Sequence, residues 1–140
     1  MNLLLKAAYK EFFPFIFDYT NCDVERAELK KIEELDLDLL VCYGITCVLF
    51  DADHNVLQQV APKEDDEVES LEEILFSFKK YIPHVYYIAI YDYDEDKESD
   101  VITLFILTES DRDKIMSWLL ARYEKELNKI KKEVSKLTED

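Results

Sequence analysis

The sequence predicts a single α+β domain over 1–140, with a four- to five-stranded, mainly antiparallel sheet packed with helices and a long C-terminal helix. Three observations point there. Apolar, β-forming runs come in pairs across short polar turns, at 39–60 and at 85–108. Stretches with helical spacing and start or stop residues separate and follow those pairs. About half of the residues are apolar, with 9 Tyr and 8 Phe, so a chain of net charge −15 still has the material for a core.

Taken in order, residues 2–13 read as a short helix stopped by Pro14, and 15–20 as a short strand or extended connection. Asn21 or Asp23 caps an expected helix over 23–35, with Val24, Ala27, Leu29, Ile32 and Leu35 as its apolar positions. Leu39 to Phe50 reads as one long strand, bent or bulged at Gly44. Asp51-Ala52-Asp53-His54-Asn55 is turn chemistry, because Asx side chains bond neighbouring amides and tolerate left-handed backbone. Val56 to Val60 returns as the second strand of that hairpin.

Ser70 and Glu73 fit a capping box for a helix that runs to Tyr81 and stops before Pro83. Val85 to Tyr93 and Val101 to Thr108 read as strands joined by a turn at 94–100. Both are apolar on both faces, which predicts central positions in a covered sheet. Ser110 and Asp113 fit a second capping box, opening a helix over about 111–137.

That last helix has the clearest local pattern. Met116, Leu120, Tyr123, Leu127, Ile130, Val134 and Leu137 step alternately by four and three residues, a heptad seam. The helix would be about 40 Å long, so its end should project beyond a domain of this size. The seam calls for a partner. That partner is either the helix expected at 23–35 or a second copy of the chain.

Charge is distributed unevenly. Residues 1–60 carry 5 basic and 11 acidic groups, residues 61–110 carry 4 and 14, and residues 111–140 carry 8 and 7. The excess sits in two bursts: Glu64, Asp65, Asp66, Glu67 and Glu69, continuing to Glu72 and Glu73, and Asp92, Asp94, Glu95 and Asp96, continuing to Asp100. Like charges in blocks repel and stay solvated, so both are expected in surface loops or at loop edges. Such a field argues against direct contact with nucleic acid, whose phosphates need Lys and Arg. It favours a partner with a basic surface and fast, salt-sensitive association. Plain solubility is the simpler account of the same acidity.

Composition excludes several chemistries. With Gly44 as the sole glycine, the chain has no Walker A loop, dinucleotide fingerprint or Gly-x-Ser-x-Gly elbow. Its two histidines, His54 and His84, form no HExxH motif. Cys22, Cys42 and Cys47 are odd in number and lack CxxC spacing, which suggests buried, reduced thiols rather than a disulfide framework or zinc site. No apolar run approaches the roughly 20 residues of a membrane span. The charged N-terminal stretch is unlike a secretory signal. A cytoplasmic location is expected, that of a host cell if the chain is viral.

One motif suggests an enzyme. Val48-Leu49-Phe50-Asp51-Ala52-Asp53 resembles the first motif of the haloacid-dehalogenase-like phosphohydrolases. There the first Asp is the nucleophile, the second an acid/base, and Mg²⁺ bridges carboxylate and phosphate. The resemblance covers six residues. His54-Asn55 departs from the family's usual small or hydroxyl residues, and no acidic pair follows Thr108 as the family's later motifs require. Asp51, Asp53 and Asn55, like Asp92, Asp94 and Asp96, mimic the start of an EF-hand loop but lack its Gly and final Glu. No cofactor or metal is implied.

Alternation in Tyr86 to Tyr93 puts Tyr87, Tyr91 and Tyr93 on one face, with Tyr86, Ile88 and Ile90 on the other. Tyrosine beside carboxylate suits an Arg-rich partner, and core lining is the plainer use of Tyr87 and Tyr91. The element order is similar to that of roadblock, profilin-like and secretion-chaperone domains, in order alone.

The leading expectation is a non-enzymatic, acidic protein-binding protein. In its sharpest form it is a nucleic-acid mimic inhibiting a basic nucleic-acid-handling protein, similar in size and charge to phage and plasmid anti-defence inhibitors. Glu64, Asp65, Asp66, Glu67, Glu69, Asp92, Tyr93, Asp94, Glu95, Asp96 and Asp100 would face the partner. The alternative is a dimeric adaptor or chaperone-like protein using the C-terminal seam. The third is a small Mg²⁺-dependent phosphohydrolase using Asp51 and Asp53.

Overall fold

The chain forms a five-stranded mixed sheet, seen in a computed structural model that describes residues 13–18, 24–42, 44–62, 66–94 and 99–138. The elements are α1 (Pro14–Asp18), β1 (Val24–Lys30), a 3-10 turn (Ile32–Glu34), α2 (Leu37–Leu40), β2 (Thr46–Phe50), β3 (Val56–Val60), α3 (Glu67–Tyr81), a second 3-10 turn (Ile82–His84), β4 (Tyr87–Asp94), β5 (Ser99–Ile106) and α4 (Glu109–Thr138). Strand order is β1-β5-β4-β2-β3, with β1 parallel to β5 and every other pair antiparallel. The α+β class, the mainly antiparallel sheet and the long C-terminal helix are as expected.

The first third of the chain departs from expectation. Where the spacing suggested a helix over 23–35, β1 runs in extended form along β5, with Ala27 opposite Ile102 and Leu29 opposite Leu104. The segment satisfies both periods, since Glu28 and Lys30 alternate with Ala27 and Leu29. Its Ala, Leu, Glu and Lys favour a helix locally. The unpaired edge of β5, more than 70 residues away, supplies the hydrogen bonds that decide for a strand. Beyond it Ile32 and Leu35 enter the core through the 3-10 turn.

Pro14 starts a helix rather than ending one. Residues 15–18, expected as extended, are helical, which is where Pro suits the first position. The helix expected over 2–13 lies almost wholly outside the described residues.

The long strand expected over 39–50 is divided. Asp36 caps α2 by accepting from the amide of Asp38 (3.0 Å), the chain turns at Gly44 (φ +86°), and the strand begins at Thr46. The positive φ at Gly44 needs the glycine and ends the helical turn before β2. One consequence concerns the thiols. Cys42 sits exposed on that turn rather than in the core, whereas Cys47 on β2 is buried and its thiol is pushed up to about 12 by desolvation. Cys22 lies outside the described residues.

Both helix starts are displaced as well. Asp66, not Ser70, caps α3, accepting from the amide of Glu69 (3.1 Å). Ser70 is buried and its amide bonds to the Asp66 carbonyl (3.0 Å). Glu67, Glu69, Glu72 and Glu73 are therefore helical residues, not loop. Thr108 and Asp111, not Ser110 and Asp113, form the reciprocal box of α4. The Asp111 amide donates to Thr108 Oγ1 (3.2 Å) and the Thr108 amide to Asp111 Oδ2 (2.9 Å).

The sheet has two covered faces. Cys47, Leu49, Ile88, Ile90 and Phe105 pack under α3 and α4 with Leu71, Ile74, Phe78, Ile115 and Leu119. Val48, Phe50, Ala89, Ile102 and Leu104 form the opposite face with Ile16. Phe13 and Phe15 make edge contacts with Tyr87 there, and Tyr91 donates its hydroxyl to the Ile16 carbonyl (2.6 Å). The predicted alternation of Tyr87 and Tyr91 against Ile88 and Ile90 thus separates the two cores, and those tyrosines line one of them.

Candidate protein-binding surfaces

Sheet topology brings the two acidic segments to one end of the molecule. Cys47 pairs with both Ile90 and Val60, so β4 and β3 leave the sheet at the same end. β4 continues there to Asp94, β5 starts back from Ser99, and α3 begins at Glu67 soon after β3 ends. Asp92 is exposed and Asp100 half-buried on the β4–β5 ribbon, while Asp66 and Glu69 are exposed at the start of α3. Glu64, Asp65, Glu95 and Asp96 lie outside the described residues, as do the side chains of Tyr93 and Asp94.

Several carboxylates near this end have structural partners. Arg122 on α4 reaches Glu67 Oε1 (2.6 Å) and Asp38 Oδ1 (2.8 Å), and its Nε lies 3.4 Å from Glu126 Oε1. It joins α2, α3 and α4 through one guanidinium, whose pKa is held above its ordinary value first by the hydrogen bond to Glu67. Glu126 is only 8% exposed and also takes Lys129 (3.2 Å). A buried carboxylate in this position needs such partners, because an unpaired one would carry its full desolvation cost. Asp66 is engaged as the α3 cap.

The second surface is apolar. α3 presents Leu71, Ile74 and Phe78 to the sheet, but Phe76 points the other way and is 71% exposed. With Leu75, Met116, Leu120 and Tyr123 it lines an open groove of about 320 Å³ between α3 and α4. Glu72 and Lys79 sit at its rim. The Tyr123 hydroxyl donates to Glu72 Oε1 (2.5 Å), and this bond raises the pKa of the phenol.

The heptad seam runs out of this groove. In α4 the residues that enter the core are Ile115 and Leu119, with Arg122 and Glu126 continuing their stripe. The seam residues lie beside that stripe. Met116 and Tyr123 pack partly on the core and Leu127 is half-buried, whereas Leu120, Ile130, Val134 and Leu137 are exposed. The helix expected at 23–35 as an internal partner is β1, so α3 takes that place, beside the seam from Met116 to Tyr123. Every residue from 128 to 137 is exposed.

Asp51 anchors the β2–β3 turn. Its Oδ1 accepts the amides of Asp53 (2.9 Å) and Asn55 (2.8 Å), and its backbone pairs with Asn55. His54 adopts φ +68° at the tip and stacks on Phe15 with ring centroids 4.0 Å apart. Both features are those of an Asx-anchored turn. His84 is exposed in the second 3-10 turn. Among the described residues no three His, Cys, Asp or Glu side chains gather as a metal site, and no helix is long and apolar enough to cross a membrane.

Sequence reasoning missed Arg122, Glu126 and Phe76. Phe76 had a signal, being out of phase with the stripe of Leu71, Ile74 and Phe78. Arg122 and Glu126 had none, because charged residues on a helix read as solvated unless the tertiary partner is known. Comparison of the chain with protein-family models, with curated proteins and with solved structures gives no match.

Proposed function

We propose that the chain is a non-enzymatic, acidic protein-binding protein that covers the nucleic-acid-binding surface of a basic partner, as an inhibitor of the phage or plasmid anti-defence type would. The observation that supports this is the convergence of two acidic segments at one end of the sheet. Carboxylates spaced on a rigid scaffold can occupy sites built for phosphates and steer a cationic partner into place. Glu69, Asp92, Asp94 and Asp100 are the partner-facing candidates, together with Glu64, Asp65, Glu95 and Asp96. Asp66 and Glu67 serve the fold first.

The test is capture from nuclease-treated lysate, with washes at about 0.1 M and 1 M salt, which shorten the screening length from roughly 10 Å to 3 Å. A basic nucleic-acid-handling protein should be retained at low salt and lost at high salt. It should also be lost from a variant carrying Glu69→Lys, Asp92→Lys, Asp94→Lys and Asp100→Lys that keeps its circular dichroism spectrum. Undiminished capture by that folded variant overturns the reading.

The exposure of Phe76 over an apolar groove favours a second reading, an adaptor or chaperone-like protein. Its partner would survive the high-salt wash and be lost on Phe76→Asp.

A further inference from the structure

We propose that two copies of this chain associate through antiparallel pairing of α4, the projecting end of each lying along the α3–α4 groove of the other. This does not rest on the acidic-end reading. The starting point is a mismatch of lengths. α4 has 30 residues and spans about 45 Å, whereas the 15 residues of α3 span about 22 Å. From residue 128 to residue 137 every side chain is exposed, yet the apolar seam continues through Ile130, Val134 and Leu137. Such a short helical extension is marginal in water by itself.

The seam fits its own reverse. With the two helices antiparallel, Leu120 faces Leu137 of the second copy, Tyr123 faces its Val134, and Leu127 faces its Ile130. Each pair occurs twice about the two-fold axis. Every position reached by a four-residue step then meets one reached by a three-residue step, which is how alternating spacings mesh. The partner's Leu137 arrives at Leu120, where Phe76 and Leu75 line the open groove.

Charge complementarity favours this occupant. Segment 127–137 carries four lysines and one glutamate, whereas residues 66–73 at the start of α3 carry five acids and no base. The projecting end of one copy is therefore complementary to the helical layer of the other. Glu124 and Lys131 flank the seam on its outer side and face one another across the pair, twice. Sliding the helices by one heptad, so that Met116 faces Val134, would set Glu124 against Glu124. That register loses the Glu124–Lys131 pairs, so the charge exchange between these two positions reads out the register.

The test is sedimentation of the full chain over a concentration series. The expected result is a reversible monomer–dimer equilibrium. Ile130→Asp with Val134→Asp alters two side chains already exposed in the monomer, so the variant should keep its spectrum and lose the dimer. Glu124→Lys alone and Lys131→Glu alone should each weaken the dimer roughly threefold to tenfold, and the two together should restore it. A wild-type chain that stays monomeric up to its solubility limit overturns the proposal, and so does a dimer that survives the double Asp change. Failure of the charge exchange to restore affinity overturns the antiparallel register.

Discussion

The two halves of α4 share one apolar spacing and have different surroundings. From 109 to 126 the helix carries two stripes, one of which enters the core through Ile115 and Leu119 and ends on the ion pairs of Arg122 and Glu126. Beyond them the seam continues, with Leu127 half-buried and Ile130, Val134 and Leu137 exposed. A periodic apolar pattern thus reports that a helix face wants cover. It does not say whether the cover comes from the same chain. Burial tells the halves apart, and it is set by where α3 begins, at Glu67 beside Arg122.

The largest expected effect tests that contrast directly. Leu119→Ala should cost about 3 kcal/mol, because it opens a cavity in a fully buried site. Ile130→Ala should cost less than about 0.5 kcal/mol in dilute solution, where the monomer prevails. Denaturant titration of both variants decides it, and similar losses would erase the distinction between the halves.

Next comes Arg122→Ala, which removes the shared partner of Glu67, Asp38 and the buried Glu126. A loss of about 2 kcal/mol is expected by the same titration. A loss below about 0.5 kcal/mol would mean that Arg122 is a surface ion pair only, and that the first half of α4 is held by Ile115 and Leu119 alone.

The smallest effect belongs to Tyr123, where the seam leaves the groove. Tyr123→Phe should lower Tm by about 2 °C or less. The pH dependence sharpens it. Hydrogen bonding to Glu72 raises the phenol's pKa in the folded state, so its contribution is full below the unfolded tyrosine value of about 10. It is lost as pH rises through the folded value. The Tm difference between wild type and variant should be constant at neutral pH and vanish in strong alkali. A difference that persists there would show that the hydroxyl is not the cause.

How much could be read beforehand varies along the chain. The β2–β3 hairpin was legible because Asp51 carries its own turn in its carboxylate. β4 and β5 were legible because long Tyr- and Ile-rich runs have one economical conformation. β1 was not, since its residues suit a helix locally and only the free edge of β5 selects the strand. The starts of α3 and α4 were misplaced by two to four residues, because several Asp, Ser and Thr side chains in each stretch could cap. The acidic segments were plain in the sequence, but that Asp92 and Asp100 lie at the same end as Asp66 and Glu69 follows from strand order. Arg122 and Glu126 were indistinguishable from solvated charges.

By itself the sequence determined the fold class, the strong charge, the central strands and the long helix with its seam. These follow from composition and from periodicities within a few turns of chain. Tertiary structure alone decided β1, the hub at Arg122, the gathering of acids at one end and the length of seam left uncovered. Each depends on groups distant in sequence, so no local pattern could express it. Edge hydrogen bonds, desolvation and the finite length of α3 are physical constraints that exist only once the chain is assembled.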